Sequence, residues 1–425
     1  MDYDVIVIGG GPAGMMAAGR AAACGARVCL LEKNPTLGTK LLITGGGRSN
    51  VANAEFDQHI FLAKFHDAAK FLFSPLSPFG VQDTIDFFHG QGMPTKVEAE
   101  KRVFPVSFSA QSVCNALVRY MRVGRVTVLT DRVVVGLETI VDTVSGVRLK
   151  SGTLLQAQAY VLATGGQSRP ETGSTGDGFR WLEMIGHTVI APRPALVPLV
   201  IRESWVHALS GASFSDVKLS YFQGEKKIES RKGKILFTHF GLSGPLVLNM
   251  SRSISEFLEY GEVTVSLDFM PTKNIGEIDR EIQVLFAAQK NKQVKNSFDG
   301  FLVPLIIPVL LKLTGINPDT PVHSVSRDER LSLARAVKDL RMTVTGLLGE
   351  DKAIVTSGGV SLEEVDCKYM RSRLYSNLYL VGDVLNIDRP SGGYSLQLCW
   401  TTGFVAGTAA AKTGTNTTDI SRSMG

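Results

Sequence analysis

The chain opens on an apolar run, Val5-Ile6-Val7-Ile8, followed at once by Gly9-Gly10-Gly11-Pro12-Ala13-Gly14 and a small-residue stretch through Ala23. Such a run, stopped by glycine, predicts a short strand buried on both faces, and the small residues predict a helix lying close on it. A second apolar run at 28–31 predicts a second buried strand, ending on Glu32. Residues 55–123 read as helices broken by proline and glycine, with one extended piece at 102–106. Alternating apolar positions at 126–137, then 146–149 and 159–162, predict a small antiparallel meander. Near residue 190 the pattern changes. Pro192, Pro194 and Pro198 punctuate the chain, and strand-like runs follow at 217–222, 235–238 and 263–269. Pro245, behind Ser243 or Gly244 as cap, predicts a short helix. Helical patterns cover 275–289 and 301–313, and Ser326 with Glu329 forms a capping box that opens a third helix through 339. A last apolar strand ends in Gly382-Asp383, and Gly392-Gly393 precedes a long helix to about 411. The polar residues beyond 412 predict a frayed tail.

The first of these patterns carries chemistry. Strand, G-x-G-x-x-G, helix, strand and acid follow one another at the spacing of a dinucleotide fingerprint. Gly9 permits the tight turn, Gly11 lets backbone approach a pyrophosphate, and Gly14 lets the helix close on the strand. The helix N-terminus offers N–H groups and partial positive charge to phosphates. Glu32 can accept from ribose hydroxyls. Two later pieces fit the same ligand. Leu162-Ala163-Thr164-Gly165-Gly166 is an apolar strand closing in glycines, which allows approach on the adenosine side. Asp383 can bind ribityl hydroxyls or the pyrophosphate region of a flavin, and the Gly392-Gly393 turn sets a helix N-terminus against the flavin pyrimidine edge. Between them, the loop Gly45-Gly46-Gly47-Arg48 can lie flat on a ligand and present a cation to a phosphate or a flavin carbonyl. The run Gly173-Ser174-Thr175-Gly176-Asp177-Gly178 is either a second anion cradle or a helix cap built on Ser174, Thr175 or Asp177.

Composition narrows the class. A chain of 425 residues, 44% hydrophobic and 20% charged, is an ordinary globular protein of two or three domains. Five cysteines, scattered and without C-x-x-C, suggest neither a disulfide framework nor a zinc site. Strand pattern begins within a few residues of the N-terminus, and the apolar run 302–313 is too short to span a bilayer. The expectation is a soluble cytoplasmic protein. Net charge is +5. Locally the balance is steeper: Lys218, Lys226, Lys227, Arg231, Lys232 and Lys234 face only Glu225 and Glu229, and Lys290, Lys292 and Lys295 follow. That surface is a solvated face or a place for polynucleotide phosphates.

Taken together, these pieces resemble a bacterial family of FAD flavoproteins that includes aminoacetone oxidases, bile-acid enone reductases and ribosomal RNA dihydrouridine synthases. The similarity runs through G-G-G-P-A-G (9–14), K-L-L-I-T-G-G-G-R-S-N (40–50), R-V-F-P-V-S (102–107), L-A-T-G-G (162–166) and T-G-S-T-G-D-G (172–178). It continues through P-A-L-V-P-L (194–199), L-F-T-H-F-G-L-S-G-P (236–245), V-T-S-G-G-V (355–360), G-D-V-L-N-I-D (382–388) and G-G-Y-S-L-Q (392–397). The resemblance implies an α/β fold: a glutathione-reductase-like FAD-binding Rossmann domain with an inserted β-barrel and a small helical subdomain. The expected division is 1–190 and 345–412 for the FAD domain, 191–270 and 328–344 for the barrel, 271–327 for the helical insertion, and 413–425 for the tail. The cofactor set it implies adds Pro12, Ala13, Lys33, Lys40, Ser49, Tyr394 and Ser395 to the glycines, Glu32, Arg48, Ala163, Thr164 and Asp383 already named.

There are departures. Ser49 stands where the family usually has cysteine, so no thiol acts there. The family often carries glutamate at Asp383, aspartate at Asn386, glycine at Arg389 and asparagine at Ser395. Arg389 therefore adds a cation near the ring. One complete fingerprint is present, so NADH or NADPH would dock transiently as electron donor. Two family activities share a step: hydride moves from flavin N5 to the β-carbon of a C=C conjugated to a carbonyl, and an acid protonates the α-carbon. Arg48, His239 and Tyr394 are the candidates for polarising or protonating, with His239 equally a structural histidine. The expected function is NAD(P)H-driven reduction of such a bond, with uridine of large-subunit ribosomal RNA as substrate, bound through the basic face. The alternatives are a small-molecule substrate, a small-amine oxidase that passes electrons to O2, and an RNA-binding flavoprotein without turnover.

Overall fold

A computed structural model describes residues 3–349 and 355–422, with the side chains of 194 and 414–422 outside that description. The chain forms two units, Met1–Pro194 with Ile354–Gly425, and the intervening Ala195–Ala353.

The first unit is built on β1 (Val5–Ile8), α1 (Pro12–Ala23) and β2 (Val28–Leu31). β1 pairs in parallel with β2 on one side and with Ala159–Leu162 on the other. The seven-stranded sheet runs in the order 365–366, 371–372, 378–380, 159–162, β1, β2, 127–129. Helices cover parallel strands on both faces, so these strands have no polar face, and every residue of β1, β2 and Ala159–Leu162 is buried. That corrects the expected meander. Its end pieces, Thr127–Leu129 and Ala159–Leu162, belong to the parallel sheet. Only Val134–Ile140, Thr143–Leu149 and Leu154–Leu155 pair antiparallel. Ala159-Tyr160-Val161-Leu162 contains no alternation at all, which is the mark of a strand covered on both sides.

The C-terminal helix, Tyr394–Arg422, brings the second segment back onto α1. Small residues set the approach: a Cβ at Gly403 would stand 2.5 Å from the Ala13 carbonyl oxygen, and one at Gly407 would stand 2.4 Å from that of Ala17. Arg20 Nε donates to Thr408 Oγ1 at 2.8 Å across the same contact. The helix runs well past 411, through most of the expected tail, and residues 423–425 lie outside the described residues. A small antiparallel sheet of Ala52–Asn53, Arg102–Pro105 and Thr95–Val97 packs near the start of this helix, where Trp400 Nε1 donates to the Val51 carbonyl at 2.9 Å.

The second unit is a closed six-stranded barrel, in the order 199–201, 241–243, 226–238, 213–223, 263–268, 340–347. Val217, Leu219 and Tyr221 are buried beside Val263, Val265 and Leu267, at alternate positions of neighbouring strands. The lysine-rich stretch is part of the strand Lys226–Thr238, paired with Ser213–Gln223. Pro245–Leu258 is a full 14-residue helix capped by Gly244, rather than a short one. Ile275–Ala288, Ile307–Thr314 and Arg327–Lys338 complete the unit. The third is closed by its capping box, Glu329 N donating to Ser326 Oγ at 3.2 Å and Ser326 N to Glu329 Oε2 at 2.8 Å. The insertion is therefore 195–353 instead of 191–344, and of the expected returning segment only Leu340–Leu347 is strand. No helix among the described residues is long and apolar enough to cross a membrane.

Candidate functional site

The first unit holds a cavity of about 1190 Å³, part of it open to solvent, along the carboxyl ends of the parallel strands. The glycine turn forms its floor. Gly9 has φ +108°, and a Cβ there would stand 2.4 Å from the Ala163 carbonyl oxygen. One at Gly14 would stand 1.9 Å from the Gly9 carbonyl oxygen, yet one at Gly11 would meet nothing within 4 Å. Gly9 and Gly14 thus close the turn, and Gly11 leaves the cavity open. No side chain caps α1, whose first residues Pro12 and Ala13 line the cavity, so its amides face that space.

At one end stands Glu32, 8% exposed. Its Oε2 accepts from Gly10 N at 2.7 Å and its Oε1 from Asn34 N at 2.8 Å. These bonds hold the carboxylate at the cavity wall with lone pairs to spare. Lys33 Nζ donates to Asp177 Oδ2 at 2.8 Å and to Thr175 Oγ1 at 2.7 Å. Burial would raise the Asp177 pKa, but the bonds from Lys33 and Thr175 outweigh it and hold the carboxyl below the usual range. Gly176 caps the helix Asp177–Met184 without a side-chain bond, so the capping role expected of Ser174, Thr175 or Asp177 is not taken. Gly173 and Ser174 line the cavity instead.

At the other end, Asp383 lies between two cations. Its Oδ1 accepts from the Arg389 guanidinium, and its Oδ2 stands 3.6 Å from Lys40 Nζ. Lys40 also donates to Ser168 Oγ at 2.8 Å. Burial works to raise the Asp383 pKa, but the charges of Arg389 and then Lys40 prevail and keep it below the ordinary carboxylate value. Burial pushes the Lys40 ammonium the other way, below the usual lysine value, against the pull of Asp383. The Cys399 thiol on the same wall is pushed up to about 12 by burial, so it is a neutral thiol and no nucleophile.

Of the residues expected from sequence, the cavity gathers Gly9, Gly11, Pro12, Ala13, Glu32, Lys33 and Lys40 from the first segment. From the middle and the end come Ala163, Thr164, Gly165, Asp383 and Ser395. Others stand behind the wall. Gly382, φ +70°, packs its α-carbon toward Ala13. Gly166 makes room for Thr356, whose Oγ1 accepts from Gln167 N at 2.7 Å, and so does not serve the adenosine side. Gly392 accepts from Asn53 Nδ2 at 3.1 Å, and a Cβ on Gly393 would stand 2.3 Å from the Ala52 carbonyl oxygen. Tyr394 is buried, its ring tilted against Phe61 with centroids 5.0 Å apart; burial, then Glu55, raises its phenol pKa. The expected ring-edge helix is therefore present, but Ser395, Leu396 and Cys399 are what it shows the cavity.

The loop 44–50 is only half in place. Thr44 lines the cavity, and Gly46 and Gly47, both at positive φ, have open space where a Cβ would go. Ser49, fully buried at φ 57°, leaves its hydroxyl without a partner. Arg48 does not line the cavity. Its guanidinium pairs with Glu98 at 2.5 Å and lies 4.0 Å over the Phe104 ring. His239 belongs to the second unit, in the turn between Lys226–Thr238 and Gly241–Ser243, edge-on to Phe240. Arg132, Trp181 and Ser168 were not expected from sequence. The carboxyl end of the strand Thr127–Leu129 was the available signal for Arg132, because ligands of parallel sheets bind there.

The donor set fits FAD. Besides the open floor at Gly11, the wall carries a buried Thr164 Oγ1 with no partner in the protein. Comparison with known proteins points the same way. The family described as "HI0933-like protein Rossmann domain" matches residues 3–409. A 3-dehydro-bile acid delta(4,6)-reductase of Clostridium scindens is 30% identical over 96% of this chain and 98% of its own. A ribosomal RNA dihydrouridine synthase of Escherichia coli is 29% identical over 94% of this chain and 95% of its own. Among solved structures, 3-ketosteroid delta1-dehydrogenase from Sterolibacterium denitrificans superposes with a TM-score of 0.55 over 96% of this chain and 99% of that one, at 13% identity, a likeness of fold.

Proposed function

The chain belongs to the HI0933-like Rossmann family as an FAD-dependent oxidoreductase, and from that premise we propose that it reduces a C=C conjugated to a carbonyl, drawing electrons from NADH or NADPH. One observation carries this reading. Two relatives matched almost end to end act on a bile acid and on ribosomal RNA, and what their names have in common is saturation of a carbon–carbon double bond. Bound FAD supplies the hydride. The chain's part is to hold the dinucleotide, exclude water and deliver a proton. Glu32 and the α1 amides take the adenosine ribose and the phosphates; Lys40, Asp383 and Ser395 take the inner half. Of the expected donors, Tyr394 stands behind the cavity wall beside Phe61 and His239 belongs to the second unit, so the proton is assigned to neither.

For the substrate we place uridine in large-subunit ribosomal RNA first. The feature in its favour is the basic hairpin, where Lys218 and Lys232 pair directly and Lys226, Lys227, Arg231, Lys232 and Lys234 are exposed. The test begins with FAD-loaded protein, reduced without oxygen by NADH or NADPH. It is then mixed separately with a ribosomal RNA fragment, a steroid dienone or dissolved O2. Rapid reoxidation by RNA with appearance of dihydrouridine is the expected result. Rapid reoxidation by the dienone alone moves the substrate to small molecules. Rapid peroxide formation with O2, and no reaction with either alkene, overturns the reductase reading in favour of an oxidase. A gene deletion that loses one ribosomal dihydrouridine would identify the target.

A further inference from the structure

We infer that Arg389 is a positioning residue that fixes Asp383 between two cations, and that its buried positive charge raises the reduction potential of the bound flavin. The inference rests on the FAD reading above. The Arg389 side chain has no solvent exposure. Its donors reach the Asp383 carboxylate, Ser395 Oγ at 3.3 Å and the Ile387 carbonyl. A guanidinium taken fully out of water persists only where such partners hold it.

The arrangement has a consequence for each member. Asp383 has both oxygens committed, one to Arg389 and one toward Lys40, so it acts as a fixed anion and neither gives nor takes a proton near neutral pH. Asp388 Oδ1 accepts from Ser357 Oγ at 2.7 Å. Among themselves Lys40, Asp383 and Arg389 sum to +1, and the carboxylate of Asp388 stands next to Arg389 in the chain. Lys40 and Asp383 form the cavity wall, and Ser395, held by Arg389 Nε, forms its next part.

The direction follows from where the cluster sits. The acid after β2 marks the adenosine ribose in such folds, so the electron-carrying half of a bound dinucleotide would lie on the side of Asp383, whose neighbour Gly382 packs against Ala13 at the α1 N-terminus. Reduction of a flavin takes two electrons from the nicotinamide donor and one proton, and leaves negative charge on the pyrimidine half of the ring. A buried positive charge near that end favours the reduced form, because screening is weak there. Ser168 on Lys40 and Ser395 on Arg389 keep the two cations apart and oriented, while Asp383 keeps them from repelling each other.

The test is an anaerobic dye-equilibration titration of FAD-saturated protein. Arg389→Met removes one charge and brings the cluster to zero; at a fixed poise the ratio of reduced to oxidised flavin should fall about tenfold. Arg389→Lys should stay within about threefold of the parent. The double variant Arg389→Met with Asp383→Asn restores the sum to +1, carried by Lys40, and should return toward the parent value. A purely structural role would shift the double variant as far as the single one, or further. Should Arg389→Met fail to fold, Arg389→Gln makes the same charge change and keeps a donor for Ile387. An unchanged ratio in the neutral variant, or a double variant equal to the single one, overturns the inference and leaves the FAD reading standing. A parent protein that takes up no FAD sinks both.

Discussion

The two ends of the cavity solve the same problem by opposite means. The outer end is made by one contiguous stretch, β1 through Glu32, and its charge is satisfied by backbone: Glu32 accepts from the Gly10 and Asn34 amides. The inner end is assembled from Lys40, Ser168, Asp383, Arg389 and Ser395, and its charge is satisfied by other side chains. Local construction leaves a site that any chain of the right spacing can form. Remote construction leaves one whose electrostatics change with single substitutions. On the readings proposed above, the first end serves binding alone, and the second serves binding and tuning together.

If that division is right, the largest effect comes from blocking the turn. Gly14→Val places a Cβ 1.9 Å from the Gly9 carbonyl oxygen, where neither backbone can yield. Loss of more than about 5 kcal/mol of stability is expected, with no yellow protein on purification. Gly11→Ala is the matched control. Its Cβ meets nothing within 4 Å, so thermal unfolding of the FAD-free protein should be unchanged while FAD uptake falls. Equal damage from the two would mean that Gly11 serves packing and not the ligand.

Next in size is Asp383→Asn alone. It leaves Arg389 and Lys40 buried without their shared anion, and breaking a buried pair on one side costs about 3–5 kcal/mol. The corresponding change at the outer end, Glu32→Gln, keeps one oxygen acceptor and disturbs one amide bond, so about 1–2 kcal/mol is expected. Urea unfolding of the two variants side by side measures the difference. If Glu32→Gln is the more damaging, the contrast between the ends is reversed.

The same contrast explains what could be read from sequence. The outer end was legible because each part lies within a turn or a strand of the next: apolar run, glycines at fixed offsets, acid. The barrel was legible as strands, but not in extent, because lysines 226, 227, 232 and 234 face solvent on a strand whose inner positions alone are apolar. The strand Ala159–Leu162 was assigned to the wrong sheet, since a two-sided buried strand carries no alternation to fix its partner. At the inner end, the sequence predicts Asp383 and Ser395, and predicts Arg389 as a cation near the ring. That its guanidinium turns onto Asp383, with Lys40 on the other oxygen, depends on contacts across 343 positions of chain and has no periodic signature. Arg48 illustrates the reverse: a cation in a glycine loop looks like a ligand group until Glu98 and Phe104 are seen to hold it.

The smallest effect is also the finest test, and it concerns the aspartates at the two ends. Asp177 and Asp383 are both held below the ordinary carboxylate pKa, near 3.9 in an unfolded chain. A depressed carboxyl contributes stability that is whole above that value and is lost as pH falls through the lowered one. Parent protein should therefore weaken as pH falls below about 4. Asp177→Asn removes one share of that decline: it should be less stable than the parent at pH 7 by about 0.5 kcal/mol, since the Lys33 pair is partly open to water, and the gap should close as pH falls through the lowered carboxyl pKa. Raising salt to 0.5 M at pH 7 should erase most of the Asp177 difference, because water and ions reach that pair. The loss in Asp383→Asn should survive the same salt, because Arg389 is sealed from solvent. Urea midpoints at two pH values and two salt concentrations are enough to decide. If salt levels both variants alike, the inner cluster is wetter than its geometry indicates, and its role in setting the flavin potential falls with that result.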